Sequence, residues 1–186
     1  GHAVSAQTSG MVVWFTGYPA SGKSTLARVV ADALRRSGEA VCVLDGDDVR
    51  AAMRPTPGYD DRARADFYAS LAGLAALLAK QGLVVLVPAT AHRASYRDTA
   101  RALAPQFVEV FVDTPLAECQ RRDPKGLYQQ APSTLPGSGM AYEPPQHPDL
   151  IVRPGEPAAE RLLELIRSRL GDIRPEAESK PTSPTS

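Results

Sequence analysis

The sequence predicts an α/β fold: a three-layer domain with a parallel sheet of about five strands and a lid loop. Three observations predict it. Short, continuously apolar segments alternate with segments of helical period along most of the chain. The phosphate-loop pattern Gly17-Tyr-Pro-Ala-Ser-Gly22-Lys23-Ser24 falls between the first such strand and the first such helix, which places the domain in the P-loop NTPase class. Polar clusters follow each of the first four strands, where open parallel sheets bind their ligands.

Residues 1–10, opening on Gly1-His2-Ala3, are expected to be a flexible arm or tag remnant. Residues 11–16 are a bulky apolar run and read as a buried strand. Residues 23–36 follow as an amphipathic helix, with Leu26, Val29, Val30, Ala33 and Leu34 at helical spacing and Gly38 as a stop signal. Residues 41–44 form a second strand that runs into Asp45-Gly-Asp-Asp48, read as an acidic turn. A long helix over 60–81 ends at Gly82, and residues 83–87 form a third strand. A helix over 95–103 leads to a fourth strand over 107–112. A short helix over 115–122 starts at a proline, where the missing N–H is harmless. Residues 123–148 are dense in Pro and Gly without a period, the texture of a functional lid loop. Residues 150–152 supply a fifth strand, and 157–170 a last amphipathic helix. The P-loop domain is therefore placed at 11–171. A disordered tail is expected over 172–186, which is rich in Pro, Ser, Thr and Glu. Strands alternating with helices imply parallel pairing through right-handed crossovers.

Composition narrows the function. The chain has 186 residues, and 21 basic side chains balance 21 acidic ones, so no net field argues for nucleic acid or an anionic membrane as partner. No apolar run reaches membrane length and no signal-peptide pattern opens the chain, so a cytoplasmic protein is expected. Cys42 and Cys119 lie in or beside apolar segments and read as free thiols of a reducing compartment.

The motifs then give chemistry. In Gly17 to Thr25, the glycines let backbone N–H groups wrap a phosphate, and the following helix adds the positive end of its dipole. Gly17, Ala20, Ser21, Gly22, Lys23, Ser24 and Thr25 are the candidate ATP contacts. Lys23 is set to reach the β- and γ-phosphates, and the Ser24 hydroxyl to bind Mg²⁺. The Asp45 to Asp48 cluster ends a buried strand. A solvated acidic turn reads the same way, but at that position Asp47 is placed to hold Mg²⁺ through water or to take the proton of an attacking hydroxyl. Asp45 and Arg50 are assigned to the substrate side, Arg50 as a partner for an anionic group. In Thr90-Ala-His92-Arg93, Arg93 is the candidate anion contact, while His92 reads equally as a hydrogen-bonded surface histidine. Arg121, Arg122 and Lys125 form the base of the lid, where cations closing over a transferred phosphoryl group stabilise its charge.

Taken together, several segments resemble the adenylylsulfate kinase family: Trp14-Phe-Thr-Gly17 with the phosphate loop, Leu44-Asp-Gly-Asp-Asp-Val-Arg50, Phe107-Val-Glu-Val-Phe-Val-Asp113-Thr-Pro-Leu116, Arg122-Asp-Pro-Lys-Gly-Leu-Tyr128 and Tyr142-Glu-Pro-Pro145. The resemblance spans roughly residues 12–152 and implies a kinase that moves the γ-phosphate of Mg-ATP to the 3′-hydroxyl of adenylylsulfate. It implies that Asp47 is the base or metal-orienting carboxylate, that Arg50 and Arg64 contact substrate, that Lys125 is the lid lysine and that Arg122 lies at the ATP base. It also implies a homodimer.

Several positions depart from the family's pattern. Asp48 replaces Asn, and Ala20 replaces a common Gly. Arg64-Ala-Asp-Phe67-Tyr-Ala69-Ser70 lacks an Asn and an Arg pair. Thr90-Ala-His-Arg93 replaces Ser-Pro-Tyr-Arg or Ser-Pro-His-Arg, and Ser133-Thr-Leu-Pro-Gly-Ser-Gly-Met140 carries no lid Phe. These changes gather on the acceptor side and make Phe67 and His92 candidates for lining the acceptor pocket. Two other readings stay open: the same chemistry on another nucleotide-linked or small-metabolite hydroxyl, and an ATP-binding module without catalysis.

Overall fold

The structure, a computed structural model, describes residues 9–123, 126–130, 135–136 and 139–174. Five parallel strands form the main sheet: β1 (Met11–Thr16), β2 (Val41–Val43), β3 (Val84–Pro88), β4 (Phe107–Val112) and, last in the chain, β7 (Leu150–Val152). Their order across the sheet is β2-β3-β1-β4-β7. Strand β1 is central, with Met11 opposite Val84 on one side and Val12 opposite Phe107 on the other.

All six residues of β1 are buried, because helices cover both faces of the sheet. Alternation along the strand divides them. Met11, Val13 and Phe15 join a core under α1 (Lys23–Arg36) and α7 (Ala158–Ile173). Val12 and Trp14 join a second core under α3 (Asp61–Lys80), which also takes in Ala100 of α4 (Ala94–Leu103). Each large apolar side chain so buried contributes roughly 1.5–3 kcal/mol relative to exposure. The Trp14 ring N–H is not left unpaired: it donates to Ala89 O at 3.1 Å.

The expected elements are all present, with ends shifted by a few residues at most. Asp60 lies just outside α3 as its N-cap, its carboxylate accepting from Ala63 N at 2.8 Å. Pro115 likewise precedes α5 (Leu116–Arg122). The last helix runs to Ile173, beyond the expected boundary.

Other features differ from expectation. The acidic stretch after β2 is a helix, α2 (Gly46–Ala52), in place of a turn. Asp45 caps it, and Asp47 and Asp48 occupy its first turn, where negative charge meets the positive end of the helix. Within the lid stretch lie α6 (Leu127–Gln130) and two two-residue strands, β5 (Leu135–Pro136) and β6 (Gly139–Met140). The expected N-terminal arm is already packed at its end. Gly10 N donates to Ala79 O at 2.8 Å, and a side-chain carbon there would lie 1.9 Å from Leu83 O. Residues 1–8 and 175–186 lie outside the described residues, as does most of the expected tail.

Candidate active site

A cleft of about 580 Å³ opens along the carboxyl ends of the strands, within the size range of small-molecule sites. One end is the phosphate loop. Gly17 leaves β1 with φ 154, and any side chain there would meet Val112 O at 2.5 Å. Helix α1 then starts at Gly22 without a side-chain cap, so its first N–H groups are left to bind an anion. Lys23 Nζ donates back across the loop to Gly17 O at 3.0 Å and Tyr18 O at 2.7 Å, with Ser21 Oγ at 3.4 Å. Burial lowers its pKa to about 8, partly opposed by neighbouring negative groups that include Asp47 and Asp45.

Beside the loop, Ser24 Oγ donates to Asp45 Oδ2 at 2.5 Å, while Asp45 Oδ1 accepts from Asp47 N at 2.9 Å. This places Asp45, expected on the substrate side, next to the hydroxyl expected to bind Mg²⁺. Asp47, the second residue of α2, lines the cleft. Among the described residues no group of three or more His, Cys, Asp or Glu side chains is built to hold a metal alone. A hydroxyl and a carboxylate completed by phosphate oxygens and water is the usual way a protein holds nucleotide-bound Mg²⁺, so Ser24 and Asp45 fit that ion.

Arg122 ends α5 and lines the cleft, its Nε donating to Glu118 at 3.0 Å. Its guanidinium lies 3.8 Å from where a side chain on Gly22 would begin. Lys125 lies outside the described residues.

At the other end of the cleft two cations are fixed in place. The Arg50 guanidinium sits over the Tyr59 ring at 4.4 Å and the Phe67 ring at 4.7 Å, and donates to Pro57 O at 2.8 Å and Gly58 O at 3.1 Å. Arg64 donates to Tyr59 O at 2.9 Å, with Met140 Sδ at 3.4 Å from its guanidinium. Phe67 is 4 % exposed and carries Arg50 on its ring. Tyr59, 59 % exposed, lines the cleft and was missed by the sequence reading. Its signal was local: an aromatic after a glycine and directly before a helix cap.

The structure does not bring His92 and Arg93 into the cleft. His92 is 3 % exposed, edge-on to Tyr96 at 5.4 Å and near Tyr68 at 6.4 Å, the two tyrosine rings being stacked at 4.8 Å. Burial and the nearby Arg64 and Arg93 lower its pKa to about 4, so at neutral pH it is uncharged and offers no cation to an anion. Arg93 is half-exposed and faces Asp61 at 4.0 Å.

Sequence reading also missed the supports behind the loop. Tyr128 Oη donates to Pro19 O at 2.8 Å, and Thr114 Oγ1 to Ser21 O at 2.7 Å. Thr16 Oγ1 donates to Thr90 O at 2.6 Å, so its one proton is committed and Tyr142 Oη, 2.7 Å away, is the donor to it. The Tyr142 ring packs on Tyr18 at 4.9 Å. Glu143 N donates to His92 O at 2.8 Å, and buried Arg97 donates to both Ala91 O and Glu143 O. The Tyr142-Glu-Pro-Pro segment is thus fastened to the loop after β3.

Comparison with known proteins agrees with this geometry. The sequence model of the family "Adenylylsulphate kinase" matches residues 9–153. The adenylyl-sulfate kinase of Aeromonas salmonicida (strain A449) is 39 % identical over 179 residues, covering 89 % of this chain and 91 % of that protein. The Yersinia pestis adenylyl-sulfate kinase is 41 % identical over 170 residues, covering 86 % and 79 %. Among solved structures, the Mycobacterium tuberculosis APS kinase CysC in complex with AMPPNP and APS aligns with a TM-score of 0.79 at 39 % identity, covering 86 % of this chain and 96 % of that one.

Proposed function

The chain belongs to the adenylylsulphate kinase family, and we propose that it moves the γ-phosphate of ATP to the 3′-hydroxyl of adenylylsulfate with the residues assembled in this one cleft. The observation that carries the assignment of roles is that two separately fixed sets of charge, Lys23 with the loop and Arg50 with Arg64, line one cleft together with Asp47. Lys23 and the loop N–H groups receive the triphosphate at one end. Arg50 and Arg64, held by aromatic rings and carbonyls, receive the anionic part of the acceptor at the other. Ser24 and Asp45 would hold Mg²⁺ beside the triphosphate, where the ion would supply neutralising charge.

Asp47 orients the acceptor hydroxyl and takes its proton as the new P–O bond forms and the bond to the β-phosphate oxygen breaks. Lys23 and Arg122 stabilise the charge on the transferring group, and Lys125 is assigned to the same task on the lid. Phe67 acts by supporting Arg50. The reading leaves His92 and Arg93 outside the contacts with the acceptor.

A homodimer is the assembly this reading favours, since α3 turns Leu74 (44 % exposed) and Leu77 (55 % exposed) outward; light scattering on the purified protein checks it. The thiols Cys42 and Cys119, unpaired in the structure, favour a reducing cytoplasm.

The function is tested by coupled measurement of ADP release with Mg-ATP and adenylylsulfate, beside the Lys23→Ala variant. Adenylylsulfate-dependent turnover that falls at least 100-fold in the variant is the expected result, the size typical of losing a transition-state cation. ADP release that ignores adenylylsulfate would sink the acceptor assignment.

A further inference from the structure

We propose that Tyr128 is a positioning residue of the nucleotide site, acting through the Pro19–Ala20 peptide plane of the phosphate loop. The inference rests on the nucleotide half of the reading above and needs nothing from the acceptor half.

Ala20 has φ 63, the left-handed region that glycine enters freely and alanine resists. Ser21 N donates to Tyr18 O at 3.1 Å, which closes a four-residue turn with Pro19 and Ala20 at its centre. A proline at the first central position and a positive φ at the second define a type II turn, whose second central residue is normally Gly or Asn. The competing type I turn uses the same closing bond and the same proline, but its central peptide is flipped by about half a turn and its second central residue has negative φ. Alanine on its own favours that alternative.

The atom that distinguishes the two turns is Pro19 O, since it belongs to the peptide that flips. Tyr128 Oη donates to that oxygen at 2.8 Å. Tyr128 is itself 7 % exposed, and α6 is anchored by Asp123, whose carboxylate accepts from Leu127 N at 2.8 Å and Tyr128 N at 3.0 Å. Burial raises the phenol's pKa, so it stays a donor throughout the working pH range. With Pro19 O drawn outward to Tyr128, the trans peptide aims the Ala20 N–H the opposite way, into the cleft that Ala20 lines. Thr114 Oγ1 fixes the next outward carbonyl, Ser21 O, at 2.7 Å. A conformation that a residue resists persists only where its surroundings over-determine it, and these bonds are the surroundings. With glycine at position 20 the turn would hold this shape unaided.

The test is a double-mutant cycle on the full chain, read as the Kd of Mg-ATP by titration calorimetry, which requires no acceptor and so fails or succeeds independently of the adenylylsulfate assignment. Tyr128→Phe removes one oxygen. It is expected to weaken Mg-ATP about 3- to 10-fold, the range of one hydrogen bond, while the KM for adenylylsulfate stays within about twofold. In an Ala20→Gly background the same change is expected to weaken Mg-ATP less than twofold, because glycine keeps the turn without the bond. Equal losses in both backgrounds, or an unchanged Kd in Tyr128→Phe, would overturn the proposal. Ala20→Ile provides a check that leaves Tyr128 intact: a β-branched residue resists positive φ still more, so Mg-ATP affinity must fall, and an unchanged Kd counts against the idea.

Discussion

The two ends of the cleft are built by opposite strategies. At the nucleotide end, consecutive residues from Gly17 to Thr25 do the work, and the carbonyls of Gly17, Tyr18, Pro19 and Ser21 accept from side chains within the loop or directly behind it. At the proposed acceptor end, Arg50 comes from α2, Tyr59 from the connection to α3, Arg64 and Phe67 from α3, and Met140 from β6 within the lid stretch. The first end is a backbone shape with one lysine in its mouth. The second is a pair of cations held on aromatic faces. A backbone site depends on φ angles and glycines, so it tolerates little change. A side-chain site can be replaced piece by piece.

The largest expected effect lies where the two ends meet. Asp47→Asn is expected to lower kcat by about 10²- to 10⁴-fold, the range for a positioned base, with little change in Mg-ATP affinity. If steady-state kinetics show a kcat within tenfold of the parent, the proton is taken elsewhere and the two ends are not joined by Asp47. The next effect separates the ends. Arg50→Met keeps the packing volume between Tyr59 and Phe67 but removes the charge. It is expected to lower kcat/KM for adenylylsulfate by about 10- to 100-fold through KM, as for loss of a charged hydrogen bond, and to leave the KM for ATP unchanged. A matching rise in the KM for ATP would mean that Arg50 serves both substrates.

The smallest effect concerns the packing beside the acceptor end. His92 has a folded pKa of about 4, below its ordinary value of 6.5, because it is buried and faces Arg64 and Arg93, with Asp61 and Glu143 opposing. The unfolded chain therefore binds the extra proton first as pH falls. His92's contribution to stability is complete above about pH 6.5 and is lost between about pH 6.5 and pH 4, on the order of 1–3 kcal/mol. Chemical denaturation at several pH values, compared with His92→Leu, measures it. An equally steep decline in the variant would show that other groups carry the acid sensitivity.

How much of this was legible in the sequence follows the same division. The phosphate loop was legible because its residues are contiguous and its strand and helix have clean periods. The sheet was legible because a strand buried on both faces reads as unbroken apolar sequence. Helix α2 was not, because its seven residues are too few to show a period, although an aspartate followed by acidic residues is a cap signal. The bond between Ser24 and Asp45 was not legible, because the two are distant in sequence and only the fold brings them together. His92 and Arg93 follow the end of a strand, as binding residues often do, yet the local chain turns His92 inward onto Tyr68 and Tyr96. Tyr128 belongs to a segment that the family resemblance singled out, but its bond to Pro19 crosses more than a hundred residues.

The lowered pKa of Lys23 also changes how nucleotide binding must be counted. With a value of about 8, the free protein near that pH is a mixture of ammonium and amine forms at this one position. A triphosphate in contact with Lys23 favours the charged form. Binding near pH 8 therefore takes up a fraction of a proton for each nucleotide, whereas near pH 6 it takes up almost none. The heat observed then depends on the buffer that supplies the proton, and affinity declines as the pH passes above about 8. Nucleotide capture by this loop is an acid–base reaction as well as a phosphate contact, and dissociation constants taken at different pH describe different equilibria.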